Sequence, residues 1–440
     1  MTTVTTTLPL PDLDANRPLT LPLQAEVTLP NGLTIIAIHR PSVPLVEVRL
    51  RVPFAQAPLA PGSLIAQTLF SGTSTKSTVD IAAELQTVGG GLAAGVDPDR
   101  LLVSGNALTS GLDRLLELMS EVLFDAAYPS HEVVTERDRL ADRIQVALSQ
   151  PSHLARVALL KRMYASHPYA VQTPAVEEVR AVDPDHLRAL HAQRIHPIGS
   201  TLVLVGDIDP EAALKLATDR LGSWDGNGEL INLPLAPALQ PGPLLLVDRP
   251  GAVQSSLRIA FPAVPRTDPT HAAMQLANLV FGGYFSSRWV ENIREDKGYT
   301  YGPHSVVEHS VAGSALVVAA EVATEVTAPA LVETFYELGR MAALPPGEAE
   351  LEQARQYALG TLQLGMSTQA GLAGLASTYA GSGLRLNYLA DHAARLEAAT
   401  LEDVHLAART HLAPARAVAV VLGDAAKVKD DIAALVPIES

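Results

Sequence analysis

STLVLVGDIDP, residues 200 to 210, decides how this chain is read, because a near copy, RAVAVVLGDAAK, returns at residues 416 to 427. Gly206 and Asp207 of the first copy correspond to Gly423 and Asp424 of the second, and Pro197 and Pro414 keep the same offset. Each copy follows a helix-like segment, DPDHLRALHAQRIHP in one case and TLEDVHLAARTHLAP in the other. Nearer the front of each half, VEVRLRVPF from Val46 resembles SSLRIAFPA from Ser255, and FSGT at Phe70 aligns with FGGY at Phe281. The order strand, helix, turn, helices, strand therefore occurs twice, the mark of an internal duplication.

Between the copies, the stretch from Gly222 to Pro250 concentrates glycine and proline without an amphipathic period, which reads as a linker. The expected division is an N-terminal extension over 1–28, a first domain over 29–221, a linker over 222–250 and a second domain over 251–440. Runs such as LVEVRLRV alternate with period two and read as strands, whereas LDRLLELMSEVLFDAAY reads as an amphipathic helix. Strands and helices do not alternate strictly, so the expectation is α+β: two homologous domains, each a largely antiparallel sheet with helices packed on one face.

Composition removes several function classes. The 440 residues are 48% hydrophobic and 18% charged, with a mean hydropathy of +0.18, yet no run of about 18 apolar residues occurs, so no membrane span is expected. MTTVTTTLPLPDLDANRPL at the start has neither a basic region nor a long apolar one, and a cytoplasmic location is expected. The absence of cysteine excludes disulfides, thiolate-bound zinc and a thiol nucleophile. A net charge of −15 without a block of Lys and Arg argues against a nucleic-acid partner. There is no Ser-x-x-Lys spacing in SGTSTKST and no G-x-S-x-G elbow.

The histidines give no metal motif. His304 and His309 in HSVVEH are five apart, about 140° around a helix or on opposite faces of a strand. His186, His191 and His196 step by five and fail likewise. His167, before Pro168 and Tyr169, reads as a turn or packing residue.

GSLIAQTLFSGT, residues 62 to 73, places Ser63 and Gln67 i, i+4 on one helix face with Ala66 beside them. Together with LPNGLTIIAIHRPSVPLVEVRLRV, HPYAVQTP at His167, LVLVGDID and FGGYFSSRWVENIREDKGYTYGPHS, this order of motifs resembles the pitrilysin-type metallopeptidases, over nearly the whole chain from Leu29 to Asp424. Members of that family bind zinc through an inverted His-x-x-Glu-His helix and a distant Glu. The resemblance puts the two histidine positions on Ser63 and Gln67, the general base on Ala66 and the distant ligand on Arg143, with Asp142 next to it. None of the four suits zinc: Ala66 cannot titrate, Ser63 is a poor ligand, Gln67 is neutral and Arg143 is cationic. No metal and no cofactor are expected in this chain.

The second half retains what the first has lost. Arg294 and Tyr301 look like the family's Arg/Tyr substrate pair, which the second domain presents to a zinc carried by a first domain. Gly282 and Gly283 read either as a break between helix and turn, or as a site where substrate backbone comes close. The resemblance implies a zinc-free subunit of a heteromeric peptidase. In that picture a paralogous partner holds zinc and the general base, while this chain brings Arg294 and Tyr301 to a peptide or unfolded polypeptide. The alternative is a structural or peptide-binding subunit of the same fold without catalysis.

Overall fold

The computed structural model describes residues 19–226 and 228–440; the first 18 residues of the expected N-terminal extension lie outside this range. Twelve strands form two six-stranded sheets. The first comprises β1 (Gln24–Thr28), β2 (Thr34–His39), β3 (Leu45–Pro53), β4 (Gly91–Val96), β5 (Arg100–Leu108) and β6 (Thr201–Gly206), in the order β1-β2-β6-β3-β5-β4. The second comprises β7 (Leu244–Asp248), β8 (Gln254–Pro262), β9 (His304–Ser310), β10 (Gly313–Ala323), β11 (Val418–Gly423) and β12 (Ile438–Glu439), in the order β12-β7-β11-β8-β10-β9.

The two copied stretches are β6 and β11, and both are central. Each lies parallel to one neighbour, β2 or β7, and antiparallel to the other, β3 or β8. Both are buried along almost their whole length, which explains why they read as continuous apolar runs. Most remaining pairings are antiparallel, so each half is the α+β unit expected. Asn31-Gly32 turns β1 into β2: Gly32 has φ +91°, and a Cβ there would stand 3.0 Å from Ile198 Cα.

The extension contributes β1 to the first sheet, and the seam contributes β7 to the second, so both sheets reach into segments that composition reads as connectors. Irregular chain occupies the described part of the seam from Gly228 to Pro243.

Each sheet packs its own helices on one face. Leu64, Ile65, Leu115, Met119, Ile144 and Leu187 close the first core, and Leu276, Phe281, Trp289, Leu338, Leu351 and Val404 close the second. The opposite faces are covered reciprocally. The helix Gln369–Ala380 of the second half lays Leu372, Ala373, Ala376 and Tyr379 on Ile36, Ile38, Val203 and Val205 of the first sheet. The helix Pro151–Tyr164 of the first half lays Leu159, Leu160 and Met163 on Ala260, Val317, Val418 and Val420 of the second.

This exchange places charges of the alternating strands at a protein interface instead of in water. Glu47 and Arg51 on β3 are both buried, and Glu47 pairs with Arg49 at 2.8 Å. On β8, buried Arg258 pairs with Glu321. Polar ties complete the junction: Gln369 Nε2 donates to the carbonyls of Arg40, Val43 and Leu45 at 2.7, 3.0 and 3.2 Å. Tyr169 donates to Asp99, whose carboxylate accepts from Val311 N at 2.9 Å.

Candidate functional site

Residues 59–68, LAPGSLIAQT, form a helix whose apolar positions Leu64 and Ile65 enter the first core. Ser63 is half-buried, Ala66 is buried and Gln67 is exposed. This helix packs against Ser130–Ser149, the helix that carries Arg143, so the four positions fall on two adjoining elements. Arg143 is exposed and makes no hydrogen bond or ion pair among the described residues.

A hydroxyl, a methyl, an amide and a guanidinium do not form a zinc donor set, because zinc takes thiolate, imidazole or carboxylate ligands. Among the described residues, no group of three or more His, Cys, Asp or Glu converges in a metal-holding arrangement. The frame helix also meets β4, which lies at the edge of the first sheet.

In the second half, two π-helical turns, Leu279–Gly283 and Glu291–Asp296, carry Gly282, Gly283 and Arg294, and Tyr301 follows in the loop before β9. Such turns are rare and concentrate at functional sites. Arg294 and Tyr301 come together: the Arg294 guanidinium carbon lies 5.1 Å from the centre of the Tyr301 ring and 4.4 Å from that of Phe285. Stacking between two aromatic faces restrains the fork of donors, an attraction of about 0.5–1 kcal/mol per ring at an exposed site. Glu295 lies 3.4 Å from Arg294 and offsets part of its charge. Tyr301 is 88% exposed and its hydroxyl makes no hydrogen bond among the described residues. Phe285 is 58% exposed. Both rings are thus open to solvent around a half-buried arginine.

Gly282 and Gly283 are held by internal packing. A Cβ on Gly282 would lie 3.0 Å from both Ser305 Oγ and Trp289 Cε3, and one on Gly283 would lie 2.8 Å from Asn278 Nδ2. Neither position has room for a side chain without a shift of its neighbours.

The sequence motifs that resemble metal sites are dispersed. His304 is exposed on edge strand β9, while His309 on the same strand turns inward. His186 caps its own helix, His191 is half-buried between the Tyr128 hydroxyl and Leu123 O, and His196 is buried separately. Burial pushes His191 and His196 below the ordinary histidine value. His167 caps the turn Pro168–Ala170 and its Nε2 lies 2.9 Å from Pro234 O, a packing role where the halves meet.

The architecture and the order of motifs have matches among known proteins. Residues 63–174 match the model of "Insulinase (Peptidase family M16)", and residues 181–357 match "Peptidase M16 inactive domain", together more than half of the chain. The chain belongs to the M16, pitrilysin-type peptidase family. A Mycobacterium bovis protein named as an uncharacterized zinc protease is 26% identical over 90% of this chain and 92% of its own length. A Mycobacterium leprae protein of the same description is 25% identical, and the match spans 64% of this chain and 65% of the relative. Among solved structures, a peptidase M16 inactive domain from Pseudomonas fluorescens superimposes with TM-score 0.83 at 23% identity, covering 91% of this chain and 98% of that one. A protease from Helicobacter pylori gives 0.84 at 16% identity, covering 91% and 100%. At these identities the structural likeness establishes the fold alone. Within the M16 family, then, this chain has the two-domain architecture with a degenerate zinc motif.

Two features escaped the sequence reading. Phe285 as the second face of the arginine stack could have been suspected from FSSR, since it lies one residue past Tyr284 in the matched stretch. The cluster of His271, His309 and His392 joins positions far apart in the chain, and no local spacing signals it.

Proposed function

We propose that this chain is the zinc-free subunit of a two-chain M16 peptidase, inactive alone, with a paralogous partner that brings the metal and its general base. The observation that carries this reading is the Arg294–Tyr301 stack with the Tyr301 hydroxyl open to solvent, beside a first half whose donor set does not suit zinc. In this role Arg294 offers its fork to a substrate carbonyl and Tyr301 donates to the oxyanion formed at the attacked peptide bond. The substrate class is a peptide or unfolded polypeptide. The open edge of β4, adjoining the frame helix, supports it, because an edge strand can pair with an extended chain. The expected compartment is the cytoplasm; among the described residues no helix is long and apolar enough to cross a membrane.

The test is cleavage of a quenched unstructured peptide by this chain, by a co-purified M16 partner and by the two mixed. Activity confined to the mixture, abolished by a chelator and reduced about 10²- to 10³-fold by Tyr301→Phe, is the expected result. A partner fully active alone, or a mixture that cleaves nothing while binding peptide, transfers the assignment to a structural or peptide-binding subunit.

A further inference from the structure

The second half has an open cavity of about 340 Å³ whose wall includes Arg266, His271, Gln275, Asn278, His309 and His392. On the Phe70–Phe281 correspondence, the helix His271–Asn278 is the counterpart of Leu59–Thr68 and Asn278 that of Gln67, so this cavity stands where the first half has its degenerate metal frame. Val306 and Thr361, both exposed, lie on its rim.

Three imidazoles meet there. His271 Nε2 lies 3.2 Å from His309 Nε2; His271 Nδ1 is 3.1 Å from the Tyr388 hydroxyl and His309 Nδ1 is 2.8 Å from Ser314 Oγ. His392 donates from Nε2 to Gln275 Oε1 at 2.7 Å, while its Nδ1 is buried without a partner in a side chain only 4% exposed. Arg266, half-buried, makes no hydrogen bond or ion pair among the described residues; its guanidinium carbon lies 5.9 Å from the centre of the Tyr379 ring.

Among the described residues no Asp or Glu lines the cavity, in a chain of net charge −15. A guanidinium without an ion-pair partner, close enough to His271, His309 and His392 to act on all three, calls for an anion. It works against a cation, which Arg266 would repel. Leu279, Leu362, Leu375 and Leu396 give the wall an apolar part, beside the hydroxyls of Ser305 and Tyr388. The volume suits one or two residues.

We propose that this cavity binds a carboxylate borne on a small apolar residue, with Arg266 as its counter-charge and the neighbouring imidazoles, His392 among them, responding to the ligand's charge. The assignment stands independently of the catalytic proposal, since it needs neither a partner nor Tyr301.

Binding brings a proton. At neutral pH, burial, followed by the Arg395 and Arg266 charges, keeps His392 neutral and well below the ordinary histidine value. The groups around it are Arg395 and Tyr388 on its own helix, His271 on His271–Asn278, Arg266 in the preceding loop, His309 on β9 and Tyr379 on Gln369–Ala380. All are cationic or neutral. An entering carboxylate supplies the missing negative charge and raises the His392 value, so the imidazole takes up a proton from solvent as the site fills. The bookkeeping is one proton gained per carboxylate bound, with no covalent bond made or broken.

The experiment is calorimetric titration of the full chain with N-acetyl-leucine, its amide N-acetyl-leucinamide, the tetrapeptide Ala-Ala-Ala-Leu as free acid, and inorganic phosphate. The acid is expected to bind, the amide at least about tenfold more weakly, and Arg266→Gln to cost at least about tenfold, with Arg266→Lys recovering part. Affinity for the acid should rise, by up to about tenfold per unit, as pH falls from about 7 to 5.5. If Arg266→Gln does not fold, the acid-against-amide ratio and a ligand-induced upward shift of the His392 titration, followed by NMR in the native chain and assigned with His392→Asn, decide the matter. Tetrapeptide binding equal to that of N-acetyl-leucine would make the occupant a chain terminus; N-acetyl-leucine alone would make it a free small acid, and both support the proposal. Amide and acid binding within about twofold, phosphate binding without the acid, or no binding of any probe at millimolar concentration overturns it.

Discussion

Acidification should destabilise this protein well above the pH at which carboxylates protonate, and the source is the histidine cluster of the second half. His271 is 6% exposed and His392 4% exposed. Burial, with the neighbouring imidazole and guanidinium charges, pushes His271 down to about 2 and His392 to about 4. Each folded value lies below the unfolded value of about 6.5, so the unfolded chain binds the extra protons and stability falls as pH drops through 6.5. For a single such group the loss between about pH 7 and pH 5 is RT times the logarithm of a roughly 25-fold ratio, about 2 kcal/mol. The two together give about 4 kcal/mol, a large share of the 5–15 kcal/mol that stabilises a typical domain. His309, also pushed down to about 3 chiefly by burial but partly open to solvent, adds in the same direction. Urea unfolding followed by far-ultraviolet circular dichroism at a series of pH values measures the slope. The double variant His271→Gln, His392→Gln should be less stable at neutral pH, having lost contacts with Tyr388 and Gln275, yet show a flatter profile. A native loss under about 1 kcal/mol across this window, or an unchanged slope in the double variant, refutes the reasoning.

Leu372 is 1% exposed on the second-half helix that covers the first sheet, so Leu372→Ala should cost about 2–5 kcal/mol and move a single denaturant transition, because the halves share that core. Gly282→Ala should cost about 1–3 kcal/mol in the same assay, since its Cβ would meet Ser305 Oγ and Trp289 Cε3 at 3.0 Å; a neutral effect would show that packing does not require glycine there. Rebuilding the first-half frame as Ser63→His, Ala66→Glu, Gln67→His should leave zinc weakly held while Arg143 stands nearby. Adding Arg143→Glu should then tighten zinc at least about tenfold by titration calorimetry, the guanidinium giving way to a carboxylate ligand.

The sequence carried the duplication because β6 and β11 are central strands, buried on both sides, where an apolar run has little freedom to vary. It carried the Arg294–Tyr301 pair because both lie within one continuous stretch, seven residues apart. What it hid is the exchange of covering helices. On β3 the alternation of Val46, Val48, Leu50 and Val52 with Glu47, Arg49 and Arg51 has the form of a sheet with one wet face. In the fold the charged face lies under a helix that begins more than three hundred residues later, at Gln369, and Glu47 and Arg51 are as buried as many core residues. Period-two patterning reports polarity, and a buried face stitched by an ion pair reads the same as a solvated one. The same limit hid the histidine cluster: His271, His309 and His392 come from a helix, an edge strand and a second helix, and only the packed second half makes them neighbours. Duplication adds the physical link between the two cases. Both halves have a helix beside an edge strand of its sheet; in the first the frame positions carry a hydroxyl, a methyl, an amide and a guanidinium, while in the second an arginine and imidazoles line a cavity without a carboxylate.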